Sequence, residues 1–310
     1  MSARPIKILC IDDEARILRA LKALFRHHEV YTTSDPQEAI ATAKSADVDV
    51  IICDQRMPVM MGVEVLREIR AVQPRAMRIL LTGYSDLQAI LGSVNEGEVF
   101  RYVSKPWDNR ELTALVDLAA KIAREAPVVD AEPINEREQD EARKRVGILV
   151  IEDDPETQKR LREILSPHYQ VRFAATTERA LQVLEQHETG VVISETESQR
   201  GDLTEMIKSL KQYHPHIATV VITDRANAQL AIDLINEGQV YRMLLKPVRI
   251  GSCRLSVEAA VGRYWQLKQN PLAARRFLVA PRITPSWLNA SFLERIRLLP
   301  SRLLGAGRVN

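Results

Sequence analysis

The chain has 310 residues, 45% of them hydrophobic and 27% charged, which is enough for two ordinary globular domains and a short remainder. Its net charge of +2 gives no global argument for a nucleic-acid partner, and no uninterrupted apolar run approaches the length of a membrane span. Cys10, Cys53 and Cys253 form no spaced framework and Met1 to Lys7 lacks a secretory apolar core, so a reducing, cytoplasmic setting without membrane contact is expected.

Short β-rich apolar runs alternate with segments of helical period, the pattern of βα units around a parallel sheet. Ile6 to Ile11 runs into Asp12 and Asp13. Ile17, Leu18, Leu21, Leu24 and Phe25 then share one helix face, and a strand follows at Val30 and Tyr31. Asp35 before Pro36 signals a capped helix start with proline in the first turn. Val48 to Cys53 ends in Asp54, a helix is expected over Val63 to Val72, and Ile79 to Leu81 ends in Thr82. A helix over Leu87 to Val94 and a strand over Phe100 to Val103 lead to Lys105 and Pro106, before a last helix over Leu112 to Ile122. Each of these polar residues stands where a buried strand stops. Residues 125–145, with Pro127, Pro133 and mixed charges, read as a linker in which Glu136 to Arg145 could extend helically.

The same order then returns. Ile148 to Ile151 ends in Glu152 and Asp153, Val191 to Ser194 in Glu195, and Val220 to Ile222 in Thr223, while Leu244 and Leu245 lead into Lys246 and Pro247. Helices are expected near Gln158 to Leu165, Thr177 to His187, Leu203 to Tyr213, Ala226 to Asn236 and Gly251 to Lys268. Asp54 and Glu195, Thr82 and Thr223, and Lys105 and Lys246 all lie 141 positions apart, and Asn95 to Arg101 is nearly repeated at Asn236 to Arg242, which points to duplication. Residues 269–310 form a basic, Leu-rich tail broken by prolines, with an amphipathic segment around Ser286 to Leu299. That segment could dock on a partner, on the repeats or on an anionic surface, or cover its own domain. It is too short for a typical helix-turn-helix domain, so DNA binding is a minority reading.

Ligands of doubly wound sheets bind beyond the carboxyl ends of the strands. Asp12, Asp13, Asp54, Thr82 and Lys105 are all expected there, which gives one pocket three carboxylates, a hydroxyl and an ammonium. Crowded carboxylates repel one another and call for a hard divalent cation such as Mg²⁺, which also neutralises an incoming phosphoryl group. An aspartate so placed can act as a nucleophile and form an acyl phosphate. Lys105 would then pair with one phosphoryl oxygen and the Thr82 hydroxyl would move to another.

As a set, the acidic pair, Asp54-Gln55-Arg56-Met57-Pro58, Thr82-Gly83 and Lys105-Pro106 resemble the receiver domain of bacterial two-component response regulators, over roughly Pro5 to Arg124. The resemblance implies an α/β, flavodoxin-like (βα)5 fold with a five-stranded parallel sheet in the order 2-1-3-4-5. It also implies Asp54 as phosphoacceptor, Asp12 and Asp13 with the Arg56 carbonyl as the Mg²⁺ site, Thr82 as switch hydroxyl and Tyr102 as switch aromatic. From its position alone, Tyr102 could instead be an exposed strand aromatic. Leu80 to Tyr84 and Lys105-Pro106-Trp107 are similar to receivers attached to HD-GYP phosphodiesterases and to certain transcriptional activators, although neither output domain is recognisable here.

Residues 146–268 resemble the same family with an altered site. Glu152, Asp153, Thr223 and Lys246 persist, but Glu195 replaces the phosphoacceptor, Gln199 stands at the place of Pro58, and Met243 at that of Tyr102. Such a pseudo-receiver is either held in one phosphate-independent state by Glu195 and Lys246 or is a relic kept for packing. The expected domains are thus 5–124, a linker 125–145, a degenerate receiver 146–268 and the tail. The function implied is that of a response regulator, not an enzyme beyond its own phosphorylation and dephosphorylation. Its partners would be a histidine kinase or phosphotransfer protein, an effector the sequence does not identify, and a second copy of the chain through the surface of the fourth and fifth helices and fifth strand. A phosphate sink or relay intermediate is the alternative within signalling. From another class comes an Mg²⁺-dependent phosphatase of haloacid-dehalogenase type, which requires a second aspartate where Arg56 stands.

Overall fold

Apolar strand runs and amphipathic helices alternate along the chain as the residue pattern requires, in a computed structural model that describes residues 4–83, 99–125, 135–195, 203–223, 235–236, 240–277 and 290–299. The chain divides into two compact units, one of Met1–Val128 with Asn227–Asn236 and the other of Val129–Ala226 with Glu237–Asn310.

The first unit contains β1 (Lys7–Ile11), α1 (Ala15–Leu24), β2 (Glu29–Thr33), α2 (Pro36–Ala46), β3 (Val50–Asp54), α3 (Gly62–Val72), β4 (Met77–Thr82), β5 (Arg101–Ser104) and α4 (Asn109–Glu125). Its strands form one parallel sheet in the order β2-β1-β3-β4-β5, the order expected of a flavodoxin-like fold. Every residue of β3 and β4 is buried, as in a parallel sheet covered on both faces. The register pairs Ile11 with Cys53, Asp54 with Leu81 and Thr82 with Ser104, so the carboxyl ends of four strands line up and the polar residues after them converge. At the start of α2 the Asp35 carboxylate accepts the amides of Gln37 and Glu38 at 2.7 and 2.9 Å, with Pro36 at the first helical position. The helix expected over Leu87 to Val94 lies outside the described residues.

The second unit repeats the plan with β6 (Gly147–Ile151), α6 (Pro155–Leu165), β7 (Gln170–Ala174), α7 (Thr177–Gln186), β8 (Val191–Glu195), α8 (Leu203–Tyr213), β9 (Ala218–Thr223), β10 (Arg242–Leu245) and α9 (Ile250–Gln269). Its parallel sheet runs β7-β6-β8-β9-β10, the same order again. Of the expected Ala226 to Asn236 helix, only residues 235–236 are described.

Ahead of β6, Glu136–Arg145 forms helix α5. The Asn135 side chain accepts the Glu138 amide at 2.9 Å while Glu138 accepts the Asn135 amide at 3.1 Å, and Glu141 pairs with Arg145 at 2.8 Å one turn on. The residues read as part of the linker thus pack on α9, with Ala142 in the core and Arg143 paired to Glu258.

After a 3₁₀ turn at Ala273–Phe277, helix α10 (Ala290–Arg297) closes on the same unit. Ile296 is fully buried, and with Leu299 it joins the cluster of Leu181, Leu184, Met206 and Leu210. Arg295 grips Glu185 at 2.6 and 2.9 Å and reaches Glu178 at 2.9 Å. Of the surfaces open to the tail, residues 290–299 take the one on their own unit. No helix among the described residues is long and apolar enough to cross a membrane.

Candidate functional site

Each polar residue of the first site follows a strand whose apolar residues anchor it in the core. Asp12, just past β1, is fully buried; one carboxylate oxygen accepts the Glu14 amide at 2.9 Å and the other the Lys105 ammonium at 2.8 Å. Asp54 closes β3 and is buried. Its Oδ1 lies 2.5 Å from Lys105 Nζ, and its Oδ2 accepts the Arg56 amide at 2.7 Å. Lys105 is fixed by its own backbone, which donates to the Thr82 carbonyl at 2.9 Å. Thr82 is fully buried and its hydroxyl donates to the Gly83 carbonyl at 3.1 Å. Asp12, Asp54, Thr82 and Lys105 therefore gather at one end of the sheet, with Asp13 exposed beside them. Tyr102 is buried in β5, against the reading of an exposed strand aromatic.

Burial raises the Asp54 carboxyl above the ordinary aspartate range, and Lys105 only partly offsets it. Burial pulls the Lys105 ammonium down, but hydrogen bonds to Asp12 and Asp54 and their charges outweigh it and leave it raised. The raised carboxyl is a more basic one, which favours it as a nucleophile once ionised. Asp12 and Asp54 face one ammonium with exposed Asp13 beside them, and carboxylate oxygens suit a hard divalent cation such as Mg²⁺.

The loop after Asp54 depends on a residue that strand and helix periodicity does not single out. The Gln55 amide donates to the Leu81 carbonyl at 2.9 Å, and the Gly62 amide donates back to the Gln55 carbonyl at 3.0 Å. A Cβ on Gly62 would lie 2.0 Å from the Asp54 carbonyl oxygen, so only glycine lets α3 start this close to the end of β3. A glycine just ahead of a predicted helix was the available signal.

The second site has the same framework and different crowding. Lys246 Nζ lies 2.8 Å from Glu195 Oε1 and 3.4 Å from Glu152 Oε2, and the Lys246 amide donates to the Thr223 carbonyl at 2.9 Å. Glu152 Oε1 accepts the Asp154 amide at 3.0 Å. Among the described residues, the acidic group whose carboxylate oxygens all lie within 4.8 Å of one another is Glu152, Asp153 and Glu195, because glutamates at two of these places reach further inward than aspartates. Burial, and then Glu195 against the relief from the Asp154 amide, pushes Glu152 up to about 7. Burial pulls Lys246 down, but Glu195 and Glu152 more than offset it. A lysine held between two carboxylates is common to both copies, so that contact alone does not mark a phosphate-like state. Met243 is buried where the first copy has Tyr102, and Gln199 lies outside the described residues.

A family model described as the response regulator receiver domain matches residues 8–117 and again residues 148–258. The hydrogenase transcriptional regulatory protein HoxA of Cupriavidus necator is 42% identical over 108 residues, which are 34% of this chain and 22% of that protein. The regulatory protein AtoC of Escherichia coli is 31% identical over 118 residues, 37% of this chain and 25% of that protein. The chain thus spans about a quarter of the length of these curated relatives. Among solved structures, the signal receiver domain of an HD domain-containing protein from Pseudomonas fluorescens is 34% identical and covers 40% of this chain and 92% of that one, with a TM-score of 0.38.

Proposed function

Since the chain belongs to the response regulator receiver family, with two receiver domains in tandem, we propose that it is a phosphorelay regulator that accepts a phosphoryl group on Asp54 and signals through protein contacts. The observation that carries this reading is the held carboxylate: Asp54 Oδ1 on Lys105 and Oδ2 on the Arg56 amide, at the open end of the sheet. The donor would be a phosphohistidine on a histidine kinase or phosphotransfer protein. An Asp54 oxygen forms the new O–P bond as the N–P bond breaks, and the electron pair leaves on the imidazole, which picks up a proton. Lys105 then pairs with a phosphoryl oxygen, and the Thr82 hydroxyl turns from the Gly83 carbonyl to another. Asp12, Asp13, Asp54 and the Arg56 carbonyl would hold Mg²⁺, which supplies charge neutralisation for the phosphoryl group. Buried Tyr102 would report the Thr82 movement along β5.

In the second receiver, Glu195 stands at the phosphoacceptor position and Met243 at that of Tyr102, and these two replacements support a phosphate-independent state. The reading takes the receivers as residues 5–124 and 146–268. The test is intact mass after incubation with a small acyl phosphate and Mg²⁺. Wild type should gain one phosphoryl group and Asp54→Asn none; modification of the variant at Glu195 would overturn the assignment.

A further inference from the structure

The second unit contains a cavity of about 300 Å³ at the sheet pole opposite Glu195, Thr223 and Lys246. It lies between the segments entering β8 and β9, the end of α9 and the residues after it. Its polar groups are held in place. The Tyr264 hydroxyl donates to Glu188 at 2.8 Å, and the Lys268 ammonium also bonds Glu188. His214 Nε2 donates to the Ile296 carbonyl at 2.7 Å; because that oxygen can only accept, Nδ1 is left as an acceptor. The His216 ring sits 5.9 Å from that of His214 and 5.8 Å from that of Tyr264, forming an aromatic wall. Burial lowers both imidazoles, His216 to about 4, and Glu188 and Lys268 neutralise each other, so the lining is uncharged overall near neutral pH.

Among its described residues, the first unit has no such wall. At the positions 141 residues earlier stand Asp47, Gln73, Arg75 and Ala123, and there Gln73 and Arg75 converge on Asp47 at 2.8 and 3.2 Å. The second copy has also made room for its ring. A Cβ on Gly190 would meet Tyr264 at 2.4 Å, while Asp49 and Ala123 stand at the corresponding positions of the first copy. Strand entry and helix have thus changed together to build this pole.

We propose that the cavity binds a flat, uncharged heteroaromatic molecule with both donor and acceptor edges. The ring of His216 offers a stacking face, Lys268 offers donors, and Glu188 and His214 Nδ1 offer acceptors. A ligand with net charge would lose its hydration without meeting a compensating charge. Leu299 lines the cavity and His214 holds the last turn of α10, so occupancy supports the docked tail and stabilises the second unit by mass action.

Adenine and cytosine serve as uncharged probes and benzoate as the charged control, added to the full chain carrying ¹⁵N-labelled histidine. A nucleobase should shift the His214 and His216 ring signals saturably and raise the melting temperature of the second unit, with benzoate about tenfold weaker or worse. Ala274→Phe, which fills the cavity, and His216→Ala, which removes the stacking ring, should each abolish or weaken the shifts. The proposal is overturned if neither base gives a saturable shift, if benzoate binds as well, or if a natively melting Ala274→Phe binds a base unchanged. Should Ala274→Phe fail to fold, unchanged binding by His216→Ala overturns it.

Discussion

Asp54 and Glu195 occupy one strand position in two copies and differ by a methylene, yet each places an oxygen on its lysine, at 2.5 and 2.8 Å. The added length acts instead on the neighbouring acid. Glu152, buried and close to Glu195, has its carboxyl raised from 4.5 to about 7. Between those values the folded state binds more protons than the unfolded chain, so this contribution is fully present below about 4.5 and is lost as pH rises through about 7. Glu152→Gln should remove that slope, so the variant gains melting temperature over wild type as pH rises from 5 to 8. Thermal melts across that range check it. Gly62 gives a second prediction at this scale. Gly62→Ala forces a Cβ into the Asp54 carbonyl and should destabilise the first unit by about 1–3 kcal/mol and slow acyl-phosphate labelling of Asp54. Chemical denaturation and labelling rates together would show it.

Helix α10 illustrates how magnitude separates two contacts on one element. Arg295 makes several ion-pair contacts, but it and its partners are partly exposed, so Arg295→Ala should reduce stability by less than about 1 kcal/mol. Ile296 is fully buried, and Ile296→Ala should destabilise by about 2–5 kcal/mol. Urea melts of the two variants should rank them in that order; the reverse would mean that the tail is held by charge. The amphipathic spacing of this segment was legible in the sequence, but its docking surface was not, since Glu178, Glu185 and His214 lie about 80 to 120 residues away. Helix α5 shows the opposite limit. Its charged residues look like a linker, and its cap and ion pairs are local signals, yet only packing of Ala142 and Arg143 on α9 assigns it to the second unit.

Across the whole molecule, one family framework appears twice with its sites adjusted differently. In the first, Lys105 stands between Asp12 and Asp54 while Asp13 remains exposed. Asp13→Asn should therefore weaken Mg²⁺ binding and slow phosphorylation several-fold while leaving the melting temperature of the first unit nearly unchanged, because exposed strand-end residues lie outside the core. Isothermal titration with Mg²⁺ and a thermal melt of the same sample make the comparison.

The alternation of strands and helices, the polar residues at the strand ends and the 141-residue spacing were determined by the sequence itself, because periodicity, capping and residue type act over a few positions and the duplication repeats them. Asp35 before Pro36 starts a helix for the same local reason. The order of the strands in each sheet, by contrast, was implied only by the resemblance to receiver domains and is set by the tertiary structure. The tertiary structure alone decided that Glu152, Asp153 and Glu195 draw closer than their counterparts, that Tyr102 is buried and that Gly62 and Gly190 sit where no Cβ fits. It also decided that residues 290–299 cover their own unit. Those outcomes depend on distances between residues far apart in the chain, which packing sets and no local pattern encodes.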